Sequence, residues 1–317
     1  MDEQPMMELP KPFIASAVQI APELFNKHRT LDKIRHWALE AAKTGAKLIL
    51  FPEVIISGYP RGLIFGTKVG GRTEAGRDLF LKYWENSIEV PGPETDYLAE
   101  TAKQASAWLV VGVTERDTTS DTLYCSLLYF SPEGQLVHKH RKLKPTAAER
   151  IIWGEGDGKD LNVLNTSLGK IGGLICWENY MPLARTALYQ QGLEIYLAPT
   201  ADCRSTWQST LEHIACESRS YVIGCNQLLK KEHYPEDLRQ LLDEEFSPST
   251  GGSAIISPLG KIMAGPLHNQ EGILTAEIDH REIIRAKMDF DPVGHYARGD
   301  VFRFGWGPAS LINFYYR

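Results

Sequence analysis

The run KIGGLICWENY, residues 170–180, changes character at its middle. Its glycine-containing apolar half reads as a buried strand, and the polar half from Cys176 onward reads as the start of a helix. A thiol at such a junction faces the positive end of the next helix, a field that favours the thiolate. Strands that end where helices begin are the repeating unit of α/β proteins, so other ends of this kind are expected along the chain.

Two more stand out. KLILF, residues 47–51, is a short buried strand that Pro52 terminates, which leaves Glu53 of FPEVIISGYPRG (51–62) hanging at a strand's C-terminal end. HKHRKLKPTAAER (138–150) places Lys142 at the end of another strand. A carboxylate, an ammonium and a thiol on three strand ends make a site for covalent catalysis.

Around these ends the pattern alternates. FIASAVQI (13–20) reads as a strand, and residues 30–43 as a helix with Leu31, Ile34, Leu39 and Ala42 on its buried face. Residues 96–106 read as a helix and WLVVGV (108–113) as a strand, followed by YCSLLYF and QLVHKHRKL around the turn Ser131-Pro132-Glu133-Gly134. A similar unit recurs around Ser257-Pro258-Leu259-Gly260, and more loosely before KIGGLI, as if two halves were related. Pro182 and Gly192 bracket a further helix. Ser205-Thr206-Trp207-Gln208 has capping-box spacing for another, with Leu211, Ile214 and Ala215 inward. Residues 230–250 are polar, hold one short helix, and read as a surface excursion suited to partner contacts. The sum is an α/β chain with mixed sheets, two of them in a layered sandwich.

Composition narrows the function. At 317 residues, 43% apolar and 23% charged, the chain is of ordinary globular type, and no Gly/Ser/Pro-rich linker divides it. The expected organisation is a lead (1–12), one domain (13–304) and a tail (305–317). A formal charge of −6 argues against nucleic acid or an acidic membrane as partner, because both need a cationic face. The five cysteines are an odd set without CxxC or Cys/His metal spacing, which fits a reduced chain and no metal. MDEQPMMELPKP lacks the build of a signal peptide and no apolar run reaches membrane length, so a cytoplasmic location is expected. Cys125, Cys216 and Cys225 read as core and Cys203 as incidental.

FPE (51–53), RKLKPT (141–146) followed by ER and IIWGEGDG, and GGLICWENY (172–180) together resemble the nitrilase superfamily of carbon-nitrogen hydrolases, in its true nitrilase branch. PTAD (199–202), GGSAIISPLG (251–260) and VGHYARGD (293–300) extend the likeness from Ile14 to Phe304. None of these motifs is specific alone; their order is. The resemblance implies a four-layer α-β-β-α sandwich and a Glu–Lys–Cys triad, with Glu53 as general base, Lys142 as cation, Cys176 as nucleophile and Glu149 in support. Lys142 is preferred to Lys144 because it follows Arg141, as the pattern requires. Thr146-Ala147-Ala148-Glu149 also has capping-box spacing, a second use for Glu149.

The resemblance also implies an aromatic substrate pocket of Tyr59, Trp153, Trp177 and Tyr180, a small-molecule nitrile as substrate, and no cofactor. It implies a homodimer, or a larger homo-oligomer such as a spiral, with His295 structural or at a subunit contact. The chemistry expected is hydrolysis of R–C≡N through a thioimidate and a thioester to the acid and ammonia. An amidase or carbamoylase, a cyanide-hydrolysing relative, and a non-catalytic scaffold of the same fold are the alternatives.

Overall fold

The computed structural model describes residues 9–306. In the first half the elements run β1 (Phe13–Gln19), α1 (Lys27–Lys43), β2 (Ala46–Leu50), α2 (Glu74–Glu85), β3 (Ile88–Glu89), α3 (Pro93–Ala105), β4 (Trp108–Arg116), β5 (Leu123–Phe130) and β6 (Leu136–Arg141). The second half runs β7 (Leu164–Thr166), β8 (Gly169–Gly173), α4 (Pro182–Gln190), β9 (Ile195–Thr200), α5 (Ser205–Ser218), β10 (Tyr221–Asn226) and β11 (Leu228–Leu229). It ends with α6 (Glu236–Arg239), β12 (Ser249–Ile256), β13 (Ile262–His268), β14 (Gly272–Ile278) and α7 (His280–Ala286).

Among the described residues, two sheets of seven strands result. One has the order β14-β1-β2-β4-β5-β6 with β3 on β4; the other has β11-β12-β10-β9-β8-β7 with β13 on β12. Both are mixed: β1, β2 and β4 pair in parallel and β4, β5 and β6 antiparallel, while β8, β9 and β10 pair in parallel and β10, β12 and β13 antiparallel. The two Ser-Pro-x-Gly turns thus join equivalent strand pairs, β5–β6 and β12–β13. Their hydrogen bonds match too, Gly134 N–H to Ser131 O and Gly260 N–H to Ser257 O, both 2.9 Å. The suspicion of related halves, raised by two tetrapeptides, has a topological counterpart.

Strand side chains alternate between layers because the strand period is two. Leu48 and Leu50, Ile195 and Leu197, Ile223 and Cys225 share one core between the sheets. Their neighbours Ile49, Leu109 and Val111 face a second core under α1 and α3, and Tyr196, Ala198 and Val222 a third under α4 and α5. Three cores between four layers make an α-β-β-α sandwich.

Several expectations are corrected. The buried stripe of α1 is Leu31, Ile34, Ala38 and Ala41, with Leu39 and Ala42 on its flanks. The helix α2 carried too few buried positions to be read from the sequence. Arg204 is the N-cap of α5, so Ser205 is already helical, and Gln208 bonds Gly252 O instead of closing a capping box. Cys216 is exposed, since it lies on the solvent side of α5. Residues 230–250 are less of an excursion than expected: Tyr234, Leu238 and Leu242 are buried, and Tyr234 donates to Arg61 O at 2.6 Å. The expected lead and tail lie mostly outside the described residues.

Candidate active site

The end of β8 delivers Cys176 in a strained form. Its φ is +51°, a left-handed conformation that non-glycine residues rarely adopt, at the first residue of a 3-10 turn, Cys176–Tyr180. Asn179 holds the turn: its side-chain amide donates to Leu174 O at 2.9 Å and Cys176 O at 2.7 Å, and it accepts from the buried Tyr196 hydroxyl at 2.7 Å. The following segment is a 3-10 turn and not the α-helix whose dipole the sequence suggested.

Glu53 and Lys142 arrive from the other sheet. Glu53 follows β2 and Lys142 follows β6, and the Lys142 Nζ lies 2.6 Å from Glu53 Oε1 and 2.8 Å from Glu149 Oε2. The Lys142 and Glu53 side chains are fully buried. Across the sheet interface the Ala201 N–H, just past β9, donates to Glu53 Oε2 at 3.0 Å. Thr200 at the end of β9 donates its hydroxyl to Cys176 Sγ at 3.0 Å and accepts from Asp202 N–H at 2.9 Å. Glu149 accepts Thr146 N–H at 2.6 Å, the capping contact its spacing suggested, and it also holds Lys142 and takes the Tyr59 hydroxyl at 2.7 Å.

Burial sets the protonation states. Desolvation raises the Glu53 carboxyl above its usual range, the Glu149 charge adds to this, and Lys142 opposes it. Desolvation and the Glu53 charge push the Cys176 thiol well up, against Lys142 and Thr200. For Lys142, burial works against the ammonium, but the Glu53 and Glu149 charges hold it well above its ordinary value. The resting sulfur is therefore a thiol, contrary to the thiolate expected from the strand–helix junction, with a carboxylate of raised basicity as its neighbour.

Cys176, Tyr59, Arg61, Glu149, Trp177 and Asp202 line a cavity of about 280 Å³, and the Tyr59–Phe65 loop continues it into a second of about 340 Å³. The four aromatic residues are dispersed. Tyr59 faces both cavities. Trp153 is buried, packs edge-on to Tyr59 with centroids 5.7 Å apart, and lines the second cavity. Trp177 is partly open and donates Nε1–H to Asp202 at 2.9 Å. Tyr180 stands against Trp177 and Trp207 and lines a separate surface depression with Arg185 and His213, so it does not face the cysteine's cavity. His295 is exposed beside Tyr296. Among the described residues no group of three or more His, Cys, Asp or Glu is placed to hold a metal ion.

Sequence reasoning missed Thr200, Ala201, Asn179 and Gln227, whose amide bonds Glu53 O. It also set aside Cys125 as core, and the structure places its thiol 3.6 Å from Glu53 Oε1. The PTAD motif carries the available signal for Thr200 and Ala201.

Comparison with known proteins agrees with this architecture. Residues 14–288 match the carbon-nitrogen hydrolase family. Nitrilase 3 of Arabidopsis thaliana is 50% identical over 280 residues, covering 86% of this chain and 80% of its own length. A bifunctional nitrilase/nitrile hydratase of Nicotiana tabacum is 48% identical over 90% of this chain and 84% of its own. An aliphatic nitrilase of Sinorhizobium fredii (strain HH103) is 47% identical over 92% and 94%. Among solved structures, a Saccharomyces cerevisiae member of branch 10 of the nitrilase superfamily superposes with a TM-score of 0.72 at 22% identity, covering 91% of this chain and 97% of that one, a likeness of fold. The chain belongs to the carbon-nitrogen hydrolase family, in its nitrilase branch.

Proposed function

We propose that this protein is a nitrilase that converts R–C≡N to R–COOH and ammonia, with Glu53, Lys142, Cys176 and Glu149 as its machinery. The observation that carries the reading is the strained Cys176 held beside the buried Glu53–Lys142–Glu149 cluster, at the wall of a small cavity. A nitrile carbon is a modest electrophile and needs a thiolate, which this site makes only on demand. As sulfur bonds to the nitrile carbon, its proton passes to Glu53 and on to the nitrile nitrogen, giving a thioimidate. Water, deprotonated by Glu53, adds to that carbon, and Lys142 with a main-chain N–H near Trp177 stabilises the tetrahedral species. Ammonia leaves, a thioester remains, and a second water releases the acid and restores the thiol.

A second outcome is favoured by the relative named as bifunctional nitrilase/nitrile hydratase. If carbon–sulfur cleavage precedes loss of ammonia from the tetrahedral species, the amide is released. The deciding experiment incubates the protein with aliphatic, aryl and arylacetonitriles and the matching amides, measures ammonia, acid and amide, and uses Cys176→Ala as the blank. Turnover of amides without nitriles would convert the reading to an amidase. No turnover and no adduct on Cys176 by mass spectrometry would leave a scaffold.

The core shared by both sheets supports treating residues 13–304 as one folding unit. The net charge of −6 supports a small-molecule substrate with no nucleic-acid or membrane partner, and the free cysteines support a cytoplasmic location. Among the described residues no helix is long and apolar enough to cross a membrane. A homo-oligomer, as the family resemblance implies, would be tested by light scattering.

A further inference from the structure

Glu178, third residue of the Cys-Trp-Glu run, takes no part in the chemistry above, yet its side chain is fully buried. Its two oxygens accept main-chain N–H groups from two distant segments. Oε2 takes Ile175 N–H at 2.7 Å, and Oε1 takes Leu143 N–H at 2.6 Å. Ile175 immediately precedes Cys176 and Leu143 immediately follows Lys142. One carboxylate therefore ties the backbone of the nucleophile's segment to that of the ammonium's.

The tie is itself anchored. His140, two residues before Lys142, places Nε2 3.1 Å from both Glu178 oxygens and Nδ1 3.0 Å from Asp160 Oδ1. Asp160 in turn accepts Arg141 N–H at 2.8 Å. With a carboxylate on each ring nitrogen, both nitrogens donate and the ring is an imidazolium. The ionisable groups around it are Glu178, Asp160, His138 and Tyr129. Burial disfavours its charge, but Glu178 and Asp160 prevail and push its pKa up to about 10.

We propose that Glu178 and His140 are positioning residues that fix the separation of Lys142 from Cys176, holding the ammonium where it stabilises the anion that forms on sulfur. The proposal rests on the nitrilase reading for its kinetic consequences, but its geometric core does not. Without the tie, Lys142 keeps Glu53 and Glu149 while Cys176 drifts, so the thiol loses a stabilising cation and becomes harder to ionise.

The test compares Glu178→Gln, His140→Gln and Asp160→Asn with the wild-type protein. The pH at which iodoacetamide labels Cys176 at half its maximal rate is followed by mass spectrometry, with the exposed Cys216 as internal control. For folded Glu178→Gln and His140→Gln, that midpoint is expected to rise by about one unit, Cys216 to stay unchanged, kcat to fall roughly tenfold and KM to move less than about threefold. Asp160, partly exposed, covers the case in which the buried variants do not fold; its Asn variant is expected to show the same shift at smaller size. An unchanged Cys176 midpoint in folded variants, Asp160→Asn included, overturns the proposal. Because labelling needs no substrate, wild-type protein that turns over no nitrile would sink the nitrilase reading alone.

Discussion

Gly112 of β4 lies directly beneath Glu53: a methyl group built on Gly112 would sit 2.7 Å from the Glu53 Cα. The Gly112 carbonyl also accepts Ile55 N–H at 2.9 Å, so β4 and the turn after β2 touch backbone to backbone. Any side chain at 112 must lift the carboxylate away from Lys142. Gly112→Ala is expected to destabilise the fold by about 1–3 kcal/mol through overpacking. Misplacing Glu53 by about 1 Å should lower kcat roughly 100-fold. Urea unfolding and ammonia release check both, and a folded variant with wild-type kcat would refute the link.

The Glu53 carboxyl is held above its ordinary range by burial and by Glu149. Since the base acts ionised, kcat/KM should fall on acidification at a pH above the usual glutamate value of about 4.3. Glu149→Gln removes a negative neighbour, so the acid limb of what activity remains should move to lower pH. A limb at the ordinary carboxylate value in the wild type would contradict the assignment of Glu53.

Thr200 donates the hydrogen bond seen on Cys176 Sγ, at 3.0 Å. Thr200→Val keeps the shape and removes the donor, leaving Asp202 N–H without its acceptor. An ionic hydrogen bond of about 1.5–3 kcal/mol predicts a loss of roughly 10- to 100-fold in kcat/KM, with Thr200→Ser close to wild type. Equal activity of the valine and serine variants would show the hydroxyl to be idle.

The folded-state pKa of His140, about 10, lies above the ordinary 6.5. Its contribution to stability is therefore complete below about pH 6.5 and lost as pH rises through about 10. Urea midpoints measured from pH 6 to 10.5 should show wild type losing its advantage over His140→Gln along that interval. A constant difference would mean that His140 is neutral in the fold.

Cysteine labelling should rank by exposure and not by sequence context. Cys216, exposed on α5, should be alkylated first without loss of activity, the half-buried Cys203 next, Cys176 more slowly and with loss, and Cys125 and Cys225 only on unfolding. Activity lost in step with Cys216 would contradict this.

The sequence alone determined what depends on local pattern and on motif order: strands ended by Pro52 and by the switch at Cys176, alternating apolar positions that must face opposite layers, and three functional groups on strand ends. It also exposed the two Ser-Pro-x-Gly turns that mark equivalent hairpins. What needed tertiary structure were the contacts between segments far apart in the chain. The Ala201 N–H reaches Glu53 because the ends of β2 and β9 meet across the sheet interface, and Glu178 joins Lys142's strand to Cys176's turn. Protonation was likewise undecidable beforehand, because a thiol's charge depends on desolvation and on the Glu53 carboxylate beside it, neither of which local sequence encodes. Tyr180 is the converse case: its motif suggested a pocket wall, and the 3-10 turn after the strained Cys176 rotates it to another surface.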